Sequence, residues 1–440
     1  RLADSTLAES SITADVLDVA DNFWNASTAT VAANHLILDV NANIAIQHSE
    51  INVPYFTQYG NSSITLTNCS LNSISQWNNI GGSATFDAII SGGVFEKIIL
   101  NTWGELVFSS FSNLSITTLQ IIGDEASVVF SSMHNTAILK LNCTNLSNIN
   151  VHNCSATSIE HLAMQQGLTI KGDNSDISVA AVDHSNGDFV LLSPQLTVQN
   201  YTFTNGVVSS NSILNIDSLD WISGNIIACA DFNVNSLLSV AYGQRFEMQN
   251  SSLTLSGQLT AMANTFNLVN SSFTNEGVIS VTGATYFVGD VNSRLTSTNT
   301  IHFSSNSTNE LNVTSYYSND VTINAATTFN APAYFTSGNA IFNDAEIYIN
   351  DIFTTSGTLS MVAQNTTFIC EGSCDVSLQN YRVNISGTIQ TSKNFSIGDH
   401  QTPNGFTQLS LIVQSAASGY GTLNLLSTPT NTTIPTINVD

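Results

Sequence analysis

The chain has 440 residues, and 8 basic against 32 acidic side chains give a net charge of −24. That balance repels phosphate backbones and anionic headgroups, so nucleic acid and acidic lipid surfaces are excluded as partners. Only 9% of residues are charged and 42% are hydrophobic, the reverse of a disordered acidic chain, and no run approaches the roughly 18 apolar residues of a membrane helix. Solubility must then rest largely on neutral groups, among them 58 Ser, 48 Thr and 52 Asn. Such a surface is common on extracellular repeat proteins, whereas cytosolic surfaces rely on mixed charge. The start at Arg1, without an initiator Met, is that expected of a processed chain.

In chain order, residues 1–30 read as an N-terminal cap or arm. Val16, Leu17, Val19, Ala20, Phe23 and Trp24 recur at helical spacing behind Thr13 as N-cap, which predicts a capping helix over roughly residues 5–24. Residues 31–430 carry short alternating runs such as His35-Leu36-Ile37-Leu38, Ile64-Thr65-Leu66-Thr67 and Leu139-Lys140-Leu141. Their punctuation is looser over 31–200 than over 200–430. From residue 200 a unit of Gly or Asn, any residue, then an aliphatic begins at Gly206, Gly224, Gly257, Gly277, Asn299, Asn319, Asn339, Gly357, Gly387 and Gly421. Most of its steps lie near 20, and the longer ones, such as Gly224 to Gly257, read as coils carrying an inserted loop. Asn250-Ser251-Ser252-Leu253-Thr254 returns as Asn270-Ser271-Ser272-Phe273-Thr274, with Asn61-Ser62-Ser63-Ile64-Thr65 as an earlier copy.

A unit of this size cannot bury its own apolar face and must stack on neighbours. The expected fold is all-β: one continuous single-stranded parallel β-solenoid (β-helix) of roughly 16–20 coils, forming a rod on the order of 90 Å long. Residues 431–440 (Asn431-Thr432-Thr433-Ile434-Pro435-Thr436-Ile437-Asn438-Val439-Asp440) read as an extended tail able to add a strand to another chain.

Six cysteines suit an oxidising compartment. Cys370 and Cys374 are spaced for a local disulfide, and Cys143 and Cys154 for a bridge across a turn; Cys69 and Cys229 read as single core thiols. Asn-x-Ser/Thr acceptors occur at Asn25, Asn61, Asn68, Asn113, Asn142, Asn145, Asn153, Asn200, Asn250, Asn270, Asn306, Asn312, Asn365, Asn384, Asn394 and Asn431. Those 16 exceed chance for this composition, 52 × 106/440 or about 12 to 13, only mildly. The hydroxyl-rich, Lys-poor profile is what makes N-linked glycans expected.

Leu219-Asp220-Trp221-Ile222-Ser223-Gly224-Asn225-Ile226 resembles the Trp-x-x-Gly-x-Ile unit of large secreted right-handed β-helix proteins of protists and bacteria, adhesin-like and pectin-lyase-like in shape. Asn275-Glu276-Gly277-Val278-Ile279 is similar to their Asn-x-Gly coils. The resemblance spans residues 200–430, implies secretion and a surface or matrix role, and carries no catalytic residues.

Carbohydrate-active β-helix enzymes are the natural rival, and their Asn-Thr-Asp, Asp-Asp and Gly-His-Gly strings are missing. Asp173 with Asp176, and Asp183 with Asp188, are the nearest carboxylate groupings, and they sit among turn-forming Gly, Asn and Ser. No metal, cofactor or catalytic residue is therefore expected. The reading is an extracellular structural glycoprotein, a subunit of a surface, matrix or filamentous assembly whose partner is itself, head to tail. An adhesin or carbohydrate-binding module on extracellular polysaccharide would instead show an exposed aromatic row. A carbohydrate-active enzyme would show facing carboxylates in a groove.

Overall fold

Strict alternation decides the architecture. In Asn43–Gln47, Ser63–Thr67 and Gly82–Asp87 every second side chain is buried, among them Ile44, Ile46, Ile64, Leu66, Ala84 and Phe86, and the residues between them are not. Successive coils lie edge to edge in parallel: Asn43 pairs with Ser63, Ser63 with Ser83 and Gly82 with Gly104. The computed structural model describes residues 5–439 apart from 21–22, 88, 90–92, 102, 193–194, 230, 263, 305–307, 356–358, 371–374, 379–381, 392–394, 398–405, 415–422 and 426–436. These residues are all-β without a helix, and their parallel strands stack as a β-solenoid of about 17 turns. The chain divides into two compact units, Arg1–Asp217 and Ser218–Asp440.

In the first unit each coil presents three faces. Thr30–Leu38 is one strand bent between two non-buried neighbours, Asn34 and His35, and its halves pair with separate strands of the next coil, Thr30 with Glu50 and His35 with Tyr55. Phe23–Ser27 and Asn43–Gln47 supply the third face. The coil step is 20 residues from Ser63 to Ser83, 22 from Gly82 to Gly104, 21 from Ala126 to Ser147 and 19 from Asp188 to Val207. The looseness expected over 31–200 is therefore absent, and the solenoid does not begin at residue 31.

The predicted N-terminal helix is replaced by strands Ser5–Ala8, Ser11–Val19 and Phe23–Ser27, with Ser5 paired to Trp24 and Ile12 to Val31. Leu17, Val19, Trp24 and Ala26 point inward, whereas Val16 and Phe23 are half exposed. Two inward pairs separated by a corner imitate the i, i+3, i+4 spacing of a helix, because the corner resets the phase of alternation.

In the second unit the step is 20 from Phe246 to Phe266, 21 to Phe287, 24 to Leu311 and 18 to Phe329. The recurring Gly/Asn unit belongs to more than one face. Leu259, Ile279, Ile301 and Val321 share one inward column, whereas Ile226 lies in another with Met248 and Leu268. The 33-residue step from Gly224 to Gly257 is thus a change of face, not a coil with an insertion; the coil there advances 21 residues, from Phe232 to Leu253. Val321 pairs with Ala340, so Ala340 and Phe342 turn inward and Ile341 outward, one residue off the expected phase. Asn61-Ser62-Ser63 is likewise no copy of Asn250-Ser251-Ser252: Asn250 and Asn270 are themselves at positive φ (49° and 47°), whereas in the earlier segment the positive φ is at Gly60 (54°). Of the tail, Ile437–Val439 pairs in parallel with Phe406–Gln414, Leu411 opposite Ile437.

The core is a set of columns. Phe86, Phe108 and Phe130 stack face to face at centroid spacings of 5.2 and 5.6 Å, and Phe246, Phe266 and Phe287 at 5.5 and 4.9 Å. Parallel in-register pairing places each ring over the next, so the ladder follows from the coil step.

Candidate functional site

The outer surface is set by the corners. One corner carries a residue in the left-handed region in coil after coil: Thr28, His48, Asn68, Ser110, Ser132, Asn153 and Asn174 in the first unit, and Ala228, Asn250 and Asn270 in the second. Its N–H donates to a carbonyl of the following coil, as Thr28 N to Gln47 O at 3.0 Å and Asn250 N to Val269 O at 3.0 Å. The pairing offsets the strain of positive φ, which costs about 1–2 kcal/mol for a residue with a Cβ. The next residue turns inward and is small or polar in most coils: Ala29, Ser49, Cys69, Cys154, Ser175, Cys229, Ser251 and Ser271 are all buried. The serines form an internal ladder in which Ser251 N donates to Ser271 Oγ at 3.1 Å and Ser271 N to Ser293 Oγ at 3.2 Å.

This position explains the cysteines. Cys69, Cys154 and Cys229 occupy it in different coils, none of them in a disulfide. Cys143 is also free and sits in a different column, between Ile121 and Met164, so the expected Cys143–Cys154 bridge is not formed. Cys154 Sγ is turned toward the carbonyls of Phe130 and His152 instead, at 3.4 and 3.3 Å. Burial pushes the Cys143 thiol up to about 12 and raises those of Cys69 and Cys154, which favours the protonated form. Cys370 is disulfide-bonded, and Cys374, its expected partner, lies outside the described residues.

A second corner is capped from inside. Gln58 Nε2 donates to Ser62 O at 2.9 Å, Asn79 Oδ1 accepts from Gly81 N at 2.8 Å, and Trp221 Nε1 donates to Gly224 O at 3.2 Å. His184 does the same through Nε2 to Gly187 O at 2.9 Å, with Nδ1 3.0 Å from the Tyr201 hydroxyl. A carbonyl only accepts, so Nε2 carries the proton and Nδ1 accepts from Tyr201. Burial lowers the His184 pKa, opposed by the Gly187 carbonyl and the Asp188 charge. The Trp-x-x-Gly-x-Ile unit is one instance of this cap, with Trp221 and Ile226 both buried.

Eleven sequon asparagines have described side chains: Asn25, Asn61, Asn68, Asn113, Asn142, Asn145, Asn153, Asn200, Asn250, Asn270 and Asn312. None of them is buried. The asparagines buried among the described residues, Asn79, Asn264, Asn275 and Asn309, are not acceptors. Some acceptors stack along the axis: Asn270 Nδ2 donates to Asn250 Oδ1 at 2.8 Å, and Asn330 and Asn350 continue a ladder that starts at Asn312. Asn306, Asn394 and Asn431 lie outside the described residues, and of Asn365 and Asn384 only the backbone is described.

Two of the four carboxylates singled out in the sequence, Asp173 and Asp183, are held by histidines. Asp173 meets His152 Nδ1 at 2.9 Å and Asp183 meets His161 Nε2 at 2.8 Å, each partner coming from the neighbouring coil and each pair exposed. Adjacent pairs such as Glu160-His161 conceal this; separations of 21 and 22 residues were the available signal. A shallow groove crosses five coils with a floor of Ser115, Ala137, Ser158, Ser178 and Thr197, and Glu160 is the one carboxylate lining it. A second groove is lined by Trp103, Glu105, Glu125 and Asn61, all exposed. On the outer face Tyr316 and Tyr334 stack at 5.0 Å. Among the described residues no group of three or more His, Cys, Asp or Glu is placed to hold a metal ion. The chain matches no family model, no curated protein and no solved structure.

Proposed function

We propose that this chain is an extracellular structural glycoprotein, a β-solenoid subunit of a surface, matrix or filamentous assembly, in keeping with its resemblance to secreted adhesin-like β-helix proteins. The observation that carries the reading is the placement of the acceptors. Every sequon asparagine whose side chain is described faces away from the core, so glycans on all of them leave the stacked columns untouched. Intact mass before and after glycosidase treatment of the protein from its native source tests the reading. A fall in mass of several glycans is expected, and an unchanged mass would refute the secretory assignment.

Assembly is proposed to be head to tail, because a solenoid end is an open strand edge that pairs with another chain unless covered. Since Ile437–Val439 already pairs within its own chain, the joint would use the outer edge of that strand and not a free arm. Removing residues 431–440 should shrink the sedimenting species; a particle of unchanged size removes the tail from the joint. The Trp103 groove and the Tyr316–Tyr334 stack favour carbohydrate binding as the second reading. Release of reducing sugar or uronic acid from a polysaccharide panel by pure protein would overturn both in favour of an enzyme.

A further inference from the structure

The Trp103 groove is built at one corner of four successive coils. Ser63, Ser83, Glu105 and Ser127 are aligned by strand pairing. Counting back two residues in each coil gives Asn61, Gly81, Trp103 and Glu125 at one position of consecutive turns. Asn61 opens the sequon Asn61-Ser62-Ser63 and is exposed. Gly81 has no side chain, its φ is 116°, and its N–H donates to Oδ1 of the buried Asn79. Trp103 is 55% exposed, whereas the other three tryptophans, Trp24, Trp77 and Trp221, are fully buried. Asn61 and Trp103 are therefore two strand spacings apart, about 10 Å, and the notch between them, where Gly82 and Gly104 line the groove, holds no side chain from the position of Gly81. The backbone at the notch is tight: a Cβ on Gly82 would stand 2.2 Å from Ser62 O.

We infer that this notch seats the first sugar of an N-linked glycan carried by Asn61, with the pyranose ring over the Gly81-Gly82 backbone and one of its faces against the Trp103 indole. The inference rests on the glycoprotein reading above and adds a defined resting place for one glycan. A pyranose ring is about as wide as the gap left by the missing side chain, and its C–H face packs on an indole as other apolar surfaces do. Glu105 and Glu125 on the rim accept hydrogen bonds from sugar hydroxyls, and the Ser83 and Ser127 hydroxyls serve either as donors or as acceptors. In the linkage C1 of the sugar bonds to Asn61 Nδ2, which loses one proton; the sugar comes from a lipid-diphosphate oligosaccharide donor, and the lipid diphosphate leaves. A glycan at this site covers the one large exposed tryptophan of the chain, so the groove is filled from within the same molecule. For Asn61 the fold supplies an aromatic ring two coils along and a glycine between.

The test uses the full glycosylated chain. Glycopeptide mass spectrometry reads occupancy at Asn61, and acrylamide quenching of tryptophan emission reads Trp103, since the other indoles are shielded. Asn61→Gln should raise the quenchable fraction several-fold. Ser63→Ala, which destroys the sequon and keeps Asn61, should do the same, and it separates loss of the sugar from damage to the corner. Trp103→Ala should abolish the quenchable fraction and leave occupancy at Asn61 unchanged. Added diacetylchitobiose should restore protection in Asn61→Gln at millimolar concentration. An empty Asn61 with other acceptors occupied overturns this inference alone, and so does an occupied Asn61 whose removal leaves quenching unchanged. No occupancy anywhere overturns the glycoprotein reading as well. Micromolar protection of Trp103 by a free polysaccharide in the wild-type chain would assign the groove to a foreign ligand instead.

Discussion

At the scale of single residues, the corners decide which substitutions the chain tolerates. Gly206 has φ 112°, and a Cβ there would lie 2.0 Å from the carbonyl oxygen of Gly187 in the preceding coil. Gly243 has φ 71° and nothing within 4 Å of the same atom. Gly206→Ala should therefore destabilise by roughly 3 kcal/mol, as backbone must move against backbone, and Gly243→Ala by about 1 kcal/mol from conformation alone. Thermal unfolding of the two variants checks the order. His184 supplies a pH dependence of known sign. Its folded pKa lies below the ordinary value of 6.5, so the unfolded chain binds the proton more readily. Stability from the neutral ring is complete above about 6.5 and is lost as pH falls from there through the folded pKa. Denaturant midpoints should fall between about pH 7.5 and 5 more steeply in the wild type than in His184→Gln. Parallel slopes would remove His184 from the account.

At the scale of elements, the columns hold the coils. Phe108 stacks on Phe86 and Phe130 and meets Phe95 and Phe111 edge-on. Phe108→Ala should cost about 3–5 kcal/mol, and Phe108→Leu, which keeps most of the volume, clearly less. Denaturant unfolding reads the difference. The alternation of these columns was legible in the sequence, and with it the all-β repeat and its coil length. Where the chain turns was not. Glycine marks a corner plainly, but Thr28, His48, Ser110 and Ser132 hold the same left-handed conformation without announcing it, which made the first half look irregular. The Val16–Trp24 stretch failed for a related reason: a corner inside an alternating run shifts its phase and mimics a helix. The capping contacts of Gln58, Asn79, His184 and Trp221 were equally hidden, since each buried polar group meets backbone only once the coil is closed. Of the sites, the acceptors could be found from their motif, whereas the groove at Trp103 needs the register of four coils to assemble it.

At the scale of the whole molecule, strand pairing among the described residues runs between adjacent coils, so a local defect there acts first on the coils next to it. Phe108→Ala should speed amide exchange in Gly82–Asp87 and Ala126–Ser131 and leave Phe23–Ser27 near its wild-type rate. Uniform acceleration across the first unit would show that it opens as a single block. The constant register has a further consequence for how such a chain changes over generations. A coil enters and leaves the stack as a unit, with the same columns above and below it. An in-frame duplication of the 22 codons from Gly82 to Trp103 would add one more turn carrying its own phenylalanine at the place of Phe86. It would also set a second tryptophan beside Trp103 on the outer corner while leaving Gly81 where it is. Gene length is thus free to drift in whole coils, while selection acts on what each new copy displays to the outside.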